Sequence, residues 1–354
     1  MIYLINSLIR ILGCKIRLIL SISQIVCLIC YNRDKFLLIF GRKFFRVENM
    51  FLKGIYAGKP AVVQLTVLLL LVLAGAVFSS LFAMCLLFLA HVPYAEISRH
   101  ADMMRVLQLL SAIGTFLLPA WGLAWLCSDD PKGFLSAGKR ADARGGRFAN
   151  RSYGIVLVSV MLLSPAITLV GLWNKQMELP AFMAPVENWM RAQEEAAEAV
   201  TSILLAGEGI TTLLFNLIVI AAAAGITEEF LFRGALQRVI GRWTHNHHIA
   251  IWSTAAAFSA FHMQFFGFLP RMLLGAYFGY LLYWSRNIWL PVFAHFVNNA
   301  FAVISLSNAQ LKDNEFITGD LSTDHLLPYT LVAIAALFAF AYCCREVKRV
   351  RSRN

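Results

Sequence analysis

Two adjacent carboxylates and one arginine interrupt a long apolar run that reads A-A-A-A-G-I-T-E-E-F-L-F-R-G. An ionised Glu or Arg at the centre of a bilayer helix costs at least about 2.5 kcal/mol on insertion scales, so Glu228, Glu229 and Arg233 need partners. Two apolar segments downstream each contain a histidine, His262 in F-S-A-F-H and His295 in H-F-V-N-N. Because carboxylates and imidazoles can exchange protons with water or substrate, these residue types indicate a polar site inside a membrane.

The spacing of these residues indicates that they share helix faces. Three pairs are four residues apart: Glu229 with Arg233, Phe258 with His262, and His295 with Asn299. Residues at i and i+4 lie on one side of a helix. Three helices could therefore direct polar groups at one interior point.

The pair Glu229 and Arg233 has a purely structural interpretation, because the two charges could neutralise each other and hold helices in register. That interpretation leaves Glu228 without a partner, which favours a functional role for it. A lone histidine in an apolar helix is usually a packing residue. His295, however, has Asn299 one turn later, and an amide is a neutral donor suited to a developing oxyanion.

The composition indicates an all-α, polytopic membrane protein. The chain has 354 residues, of which 59% are hydrophobic and 14% charged, with a mean hydropathy of +0.66. A soluble domain carries about 25% charged residues. The net charge of +11 could suggest a nucleic-acid partner. The basic residues lie mostly at the ends of apolar segments, however, so we predict membrane anchoring and no nucleic acid.

A bundle of about eight transmembrane helices is predicted, since a span needs about 20 apolar residues. The predicted spans are residues 61–90, 104–127, 153–173, 211–240, 248–266, 270–285, 288–306 and 326–344. The loop from Ser128 to Ser152 carries six basic residues against three Asp, and the tail after Cys344 is also basic. Basic loops favour the cytoplasmic side. We therefore expect a protein of the cytoplasmic (inner) membrane. Both ends of its bundle should lie in the cytoplasm.

Four regions are predicted along the chain. Residues 1–49 contain no Ala, Pro, Thr, Trp or His, which favours an extension outside the working fold over an extra interfacial helix. Residues 50–210 hold the first membrane helices and an amphipathic helix near 185–205, interpreted as a lid on the outer surface. Residues 211–306 hold the chemical site, and residues 307–354 hold the last span and the basic tail.

The ordered motifs E-E-x-x-x-R, F-x-x-x-H and H-x-x-x-N resemble those of the CPBP intramembrane metalloprotease family. That family includes CAAX prenyl endopeptidases and bacteriocin-processing or immunity (Abi) proteins, and the resemblance covers residues 211–306. It implies an intramembrane endopeptidase whose partners are the lipid bilayer and a peptide or protein substrate. It further implies these roles: Glu228 activates a water assisted by His262, His295 and Asn299 stabilise the oxyanion, and Glu229, Arg233 and Phe258 support the site.

Metal dependence and two other functions stay open from the sequence. Glu228, His262 and His295 form a two-His, one-Glu set that could hold catalytic zinc, but a metal-free glutamate mechanism uses the same residues. There is no H-E-x-x-H motif. Buried Glu, His and Arg also build proton relays, so a proton- or ion-coupled transporter is the alternative. A catalytically idle, Abi-like membrane scaffold is the third interpretation.

Overall fold

The computed structural model describes residues 52–136, 146–312, 314–315 and 321–352. The described residues from Tyr56 onward belong to one compact unit. The predicted extension at residues 1–49 lies outside the described residues, as does the middle of the basic loop, residues 137–145.

The described residues form helices and contain no strand, which confirms the all-α prediction. Nine of these helices are long: α1 Ala61–Leu89, α2 Ala101–Cys127, α3 Gly146–Lys175, α4 Ala184–Leu205, α5 Ile210–Thr244, α6 His247–Phe261, α7 Phe268–Ser285, α8 Trp289–Ser307 and α9 Thr323–Ser352. The predicted amphipathic helix is α4. Shorter helical turns join these elements, including Pro131–Leu135 and Phe265–Gly267.

Seven of the described helices are long and apolar enough to cross a membrane, so the protein is a multi-pass membrane protein. Seven of the eight predicted spans correspond to these helices. The predicted span at 248–266 is α6, which has only 15 residues. At 1.5 Å per residue it is about 22 Å long, against about 30 Å for a bilayer core. It ends early because the chain turns at Met263, whose φ is +55°.

Burial distinguishes the outer helices from the helices that carry the site. The most apolar window of α1 is 17% buried within the protein, whereas that of α8 is 50% buried. Leu69, Phe78 and Phe88 of α1 are exposed, as expected for side chains that face lipid. The interior of the bundle is therefore built around α5, α7 and α8.

Helix α5 is irregular at two places. Residues Leu217–Ala223 and Phe230–Leu236 are π-helical, and the six residues Ala224–Glu229 between them are α-helical. π-Helical turns change the direction of the following side chains and occur often at functional sites. The predicted carboxylate pair ends the α-helical piece between these two turns.

A buried arginine fixes the junction of α2, α4 and α5. The Arg105 guanidinium donates to the carbonyl oxygens of Leu204 (3.0 Å) and Ala206 (2.5 Å) and to Asn216 Oδ1 (2.7 Å). It also pairs with Asp102 at 2.5 Å. Carbonyl groups at a helix C-terminus lack main-chain partners, so Arg105 caps α4 and ties it to α5.

Candidate active site

Gly225 sets how α5 and α8 meet. A Cβ atom at this position would lie 3.3 Å from both Phe296 N and Val292 O, so the two backbones are in close contact there. Close backbone approach at small residues is a usual device of membrane helix packing. One turn after Gly225, Glu229 Oε1 accepts a hydrogen bond from His295 Nδ1 at 2.8 Å. The spacing of the two motifs in the sequence did not predict this contact between them.

Glu229 and Arg233 form a fully buried ion pair. The distance from Arg233 Nη1 to Glu229 Oε1 is 2.8 Å, and both side chains are 0% exposed. Arg233 Nη2 also donates to the carbonyl oxygen of Gly275 on α7 at 2.9 Å. A Cβ atom at Gly275 would lie 3.1 Å from that nitrogen, so the absence of a side chain lets α7 reach the guanidinium. The pair therefore connects α5 with α7 and, through His295, with α8.

Aromatic rings hold the charged groups in place. The guanidinium carbon of Arg233 lies 4.6 Å from the ring centre of Phe258 and 5.5 Å from that of Phe278. The His295 ring stacks on Phe278 with a centroid distance of 5.2 Å and meets the Phe258 ring edge-on at 5.8 Å. Phe258 therefore supports the site as a packing residue, and Phe278 is a support that the motifs did not reveal.

His262 lies at the C-terminal end of α6. Its Nδ1–H donates to the Phe258 carbonyl oxygen at 2.9 Å, which leaves Nε2 directed away from the helix. The turn after it is held by α4, because Glu194 accepts hydrogen bonds from Gln264 Nε2 and from Phe266 N, both at 3.3 Å. Helix α4 thus packs against the segment that positions His262.

Glu228 faces both imidazoles across a cavity of about 260 Å³. Its Oε2 lies 4.0 Å from His262 Nε2 and 3.9 Å from His295 Nε2. This oxygen is buried and has no hydrogen-bond partner among the described residues. In neutral rings whose Nδ1 atoms carry the protons, both Nε2 atoms are also acceptors. Three acceptors therefore converge on one point and require a donor between them.

A water molecule fits this point. Atoms about 4 Å apart can each lie about 2.8 Å from one oxygen, at an angle of about 90°, which hydrogen bonding tolerates. Such a water could donate to Glu228 Oε2 and to one imidazole. If the other imidazole carries a proton on Nε2, that N–H donates to the water and completes the hydrogen bonds of the water. The geometry can therefore hold one water between a carboxylate and two histidines, residue types that can exchange protons with it.

The same three atoms are too widely spaced for tetrahedral zinc. Their chemical types suit the metal, but zinc bonds of about 2.0–2.2 Å place neighbouring ligand atoms about 3.4 Å apart. Glu228 would have to move about 0.5 Å towards each ring to reach that spacing. Among the described residues, no group of three His, Cys, Asp or Glu side chains has the arrangement of a metal site. The three side chains as they are placed therefore do not fit a zinc ion.

Asn299 lines the same cavity, one turn beyond His295. Its Nδ2 donates to the carbonyl oxygen of Ile220 at 3.0 Å, and its Oδ1 accepts from Asn298 Nδ2 at 3.2 Å. Ile220 lies in the first π-helical turn of α5, where the regular i to i−4 bonding is replaced. These bonds fix the amide plane and leave its second N–H for a ligand.

The structure brings all seven predicted site residues together, but their chemical roles stay predictions. Five of them line the cavity directly, and these are Glu228, Phe258, His262, His295 and Asn299. Glu229 and Arg233 lie behind this wall. Sequence reasoning missed Arg271, which also lines the cavity and bonds to Gln264 at 2.8 Å. Its position near a span end could have drawn attention to it.

Comparisons with known proteins identify the same segment. Residues 210–301 match the family described as type II CAAX prenyl endopeptidase Rce1-like. The chain is also 25% identical over 119 residues to an uncharacterized protein, YpbD, of Bacillus subtilis (strain 168). That match covers 32% of this chain and 56% of YpbD, so the chain spans little more than half of that relative. No solved structure matches significantly.

The matched residues begin with α5 and end inside α8, so they contain every predicted site residue. This agrees with the resemblance found in the three motifs. Residues 210–301 are therefore similar to the Rce1-like family of type II CAAX prenyl endopeptidases.

Proposed function

We propose that this protein is an intramembrane endopeptidase that hydrolyses a peptide bond of a membrane-associated protein or peptide. The observation that carries the proposal is the buried, unpartnered Glu228 Oε2, which faces two imidazole Nε2 atoms at 3.9 and 4.0 Å. Glu229 bonds to Arg233 and His295 through Oε1, whereas Glu228 makes no hydrogen bond with any described residue. The Glu228 carboxylate is arranged to act on a molecule placed in the cavity.

Glu228 is the general base in this proposal. A water between Glu228 Oε2 and the two imidazole Nε2 atoms donates one hydrogen bond to Glu228 Oε2 and one to His262 Nε2. As the water oxygen forms a bond to the peptide carbonyl carbon, its proton moves to Glu228. Cleavage of the C–N bond follows, and the leaving amine takes a proton from Glu228. The products are a carboxylic acid and an amine.

His295 and Asn299 stabilise the oxyanion. The Glu229 carboxylate accepts from His295 Nδ1 and holds the ring in place, and in this proposal Nε2 of the same ring carries a proton as well. That Nε2–H and the remaining N–H of Asn299 are the two donors for the negative oxygen. Arg233 offsets part of the Glu229 charge and fixes that carboxylate in place. Glu229 and Arg233 are therefore positioning residues.

The substrate segment must be extended and membrane-associated. The cavity opens near the turn under α4, where Gly267, Pro270 and Arg271 line it. An extended strand exposes its carbonyl groups, whereas a helix hides them in main-chain bonds. The family name adds prenylated peptides as one substrate class to test.

The test is hydrolysis of quenched fluorescent peptides by the purified full chain in detergent, with prenylated and unmodified versions of each peptide. Glu228→Gln should lower kcat by a factor of about 10² to 10⁴, the usual contribution of a general base. Glu198→Gln is the matched control, because it removes an exposed carboxylate on α4 outside the cavity. The control should keep full activity.

Removal of metal ions by exhaustive chelation is a second, separate test. Activity that survives chelation without bound zinc supports the glutamate mechanism. If zinc is required, water activation by Glu228 alone is wrong, although peptide hydrolysis stands. If Glu228→Gln and Asn299→Ala both keep the turnover of the unchanged protein on an identified substrate, the site assignment fails and the transporter hypothesis takes its place.

A further inference from the structure

A second cavity lies on the other side of Arg233. It has a volume of about 260 Å³ and is lined by Arg233, Gln237, Arg238, His247, Tyr283 and Arg286, among others. Arg233 packs on Phe258 and Phe278, and these two rings line the catalytic cavity. The layer of Arg233 and the two rings therefore separates the cavities.

Two residues that line this second cavity, Arg233 and Gln237, each carry a buried polar atom without a partner. Arg233 Nε and Gln237 Oε1 have no hydrogen-bond partner among the described residues. Arg233 is 1% exposed and Gln237 is 9% exposed. One of the atoms is a donor and the other is an acceptor. Leaving buried polar atoms unpaired is unfavourable, so the cavity favours a ligand that can both accept and donate a hydrogen bond.

The rest of the lining is basic. Arg238 and Arg286 lie on the wall, and no lining residue is acidic. Arg238 donates to the main-chain carbonyl oxygens of Gly133 and Phe134, which do not neutralise its charge. Arg286 is exposed and has no ion pair with any described carboxylate. The cavity therefore favours a negatively charged ligand.

An aromatic and basic groove adjoins this cavity. It shares His247 and Tyr283 with the cavity and adds Tyr280, Trp284 and Lys348. The Lys348 ammonium lies 4.6 Å from the centre of the Trp284 ring. Trp, Tyr and Lys are the residues that anchor membrane helices at the headgroup level. The mouth of the cavity thus lies at the depth of lipid phosphates, at the ends of α5, α7 and α9.

We propose that the second cavity binds the phosphate monoester headgroup of an anionic phospholipid. Phosphate oxygens accept hydrogen bonds from Arg233 Nε and Arg286, and a P–OH group donates to Gln237 Oε1. Basic pockets between membrane helices are known to take anionic headgroups. The aromatic groove leads from the phosphate to the bilayer, where the acyl chains lie.

The experiment is a binding titration of the full chain in neutral detergent. The ligands are dioctanoyl phosphatidic acid, dioctanoyl phosphatidylcholine and inorganic phosphate, and the readout is calorimetry. Phosphatidic acid should bind at least about tenfold more tightly than either other ligand. Arg286→Gln should weaken its binding by about tenfold, since a charge-assisted bond contributes at least that factor. Arg286→Lys keeps the charge and should lose less affinity for phosphatidic acid than Arg286→Gln does.

Arg345→Gln is the matched control, because it removes an exposed arginine from α9 outside the cavity. It should leave the affinity unchanged. Equal weakening by Arg286→Gln and Arg345→Gln would show only non-specific attraction and overturn the site. If inorganic phosphate binds as tightly as phosphatidic acid, the claim that the ligand is a lipid is wrong. If phosphatidylcholine binds as tightly as phosphatidic acid, the claim that the site prefers an anionic headgroup is wrong. Peptide hydrolysis is not measured, so these outcomes are independent of the proposed peptidase.

Discussion

Two buried arginines of this protein have similar exposure and different surroundings. Arg105 is 2% exposed and Arg233 is 1% exposed. Arg105 bonds mainly to neutral acceptors at a helix end, and its carboxylate partner Asp102 is 82% exposed. Arg233 pairs with Glu229, which is 0% exposed, so both charges of that pair have lost their hydration.

The difference lies in the polar atoms that remain unpaired. Around Arg233, buried atoms of Glu228, Glu229, Arg233 itself and Gln237 have no partner among the described residues. Around Arg105, only Asn216 Nδ2 is buried without a hydrogen-bond partner among the described residues. Natural structures usually satisfy buried polar groups, and the exceptions concentrate where a ligand or a reaction needs them. We therefore interpret the Arg105 cluster as a structural joint and the Arg233 cluster as part of the candidate site.

The largest effect on stability is expected for Arg233→Met. Glu229 would then be a buried carboxylate whose cationic partner is gone, and breaking such pairs costs about 3–5 kcal/mol. Reversible unfolding in mixed micelles of a neutral and an ionic detergent measures this free energy. Adding Glu229→Gln to Arg233→Met should restore part of it, because the remaining amide is neutral and can still accept from His295.

A loss below about 1 kcal/mol for Arg233→Met would contradict the buried ion pair, because a loss that small is typical of exposed pairs. It would also remove the contrast with Arg105.

The second-largest effect is expected on kcat, for substitution of Asn299. Asn299→Ala should slow kcat about a hundredfold with little change in KM, because the donor acts on charge that develops in the transition state. Asn298→Ala is the matched control, since Asn298 lines the same cavity and only supports the Asn299 amide. Equal losses for the two variants would mean that the amide cluster is structural, like the joint at Arg105.

The smallest effect is expected for Arg105→Met. Buried acceptors at Leu204 and Asn216 would lose a donor, at a cost of about 1–3 kcal/mol, but no buried charge would remain. Because Arg105 is outside the catalytic cavity, kcat on any identified peptide should stay the same at temperatures where the protein is folded. A tenfold loss of kcat without unfolding would show that the joint and the site are coupled.

Several features followed from local sequence. Apolar length located the membrane helices, with ends within eight residues of those observed, because hydrophobic transfer depends on the segment alone. The cost of charge in a bilayer marked Glu228, Glu229 and Arg233, and the i, i+4 rule paired two of them correctly. The short α6 was misjudged, since apolar character continues through the turn at Met263.

Other features depended on contacts between helices. Which histidine bonds to Glu229 is decided by the rotation and depth of α5 against α8, fixed by the close approach at Gly225. The π-helical turns of α5 and the second cavity behind Arg233 likewise involve several elements at once. The sequence by itself determined which residues need a polar partner in a membrane, because the free-energy cost of placing a charged group there is a property of each residue. Only the tertiary structure decided their partners, because a hydrogen bond depends on distances of a few tenths of an ångström between separate helices.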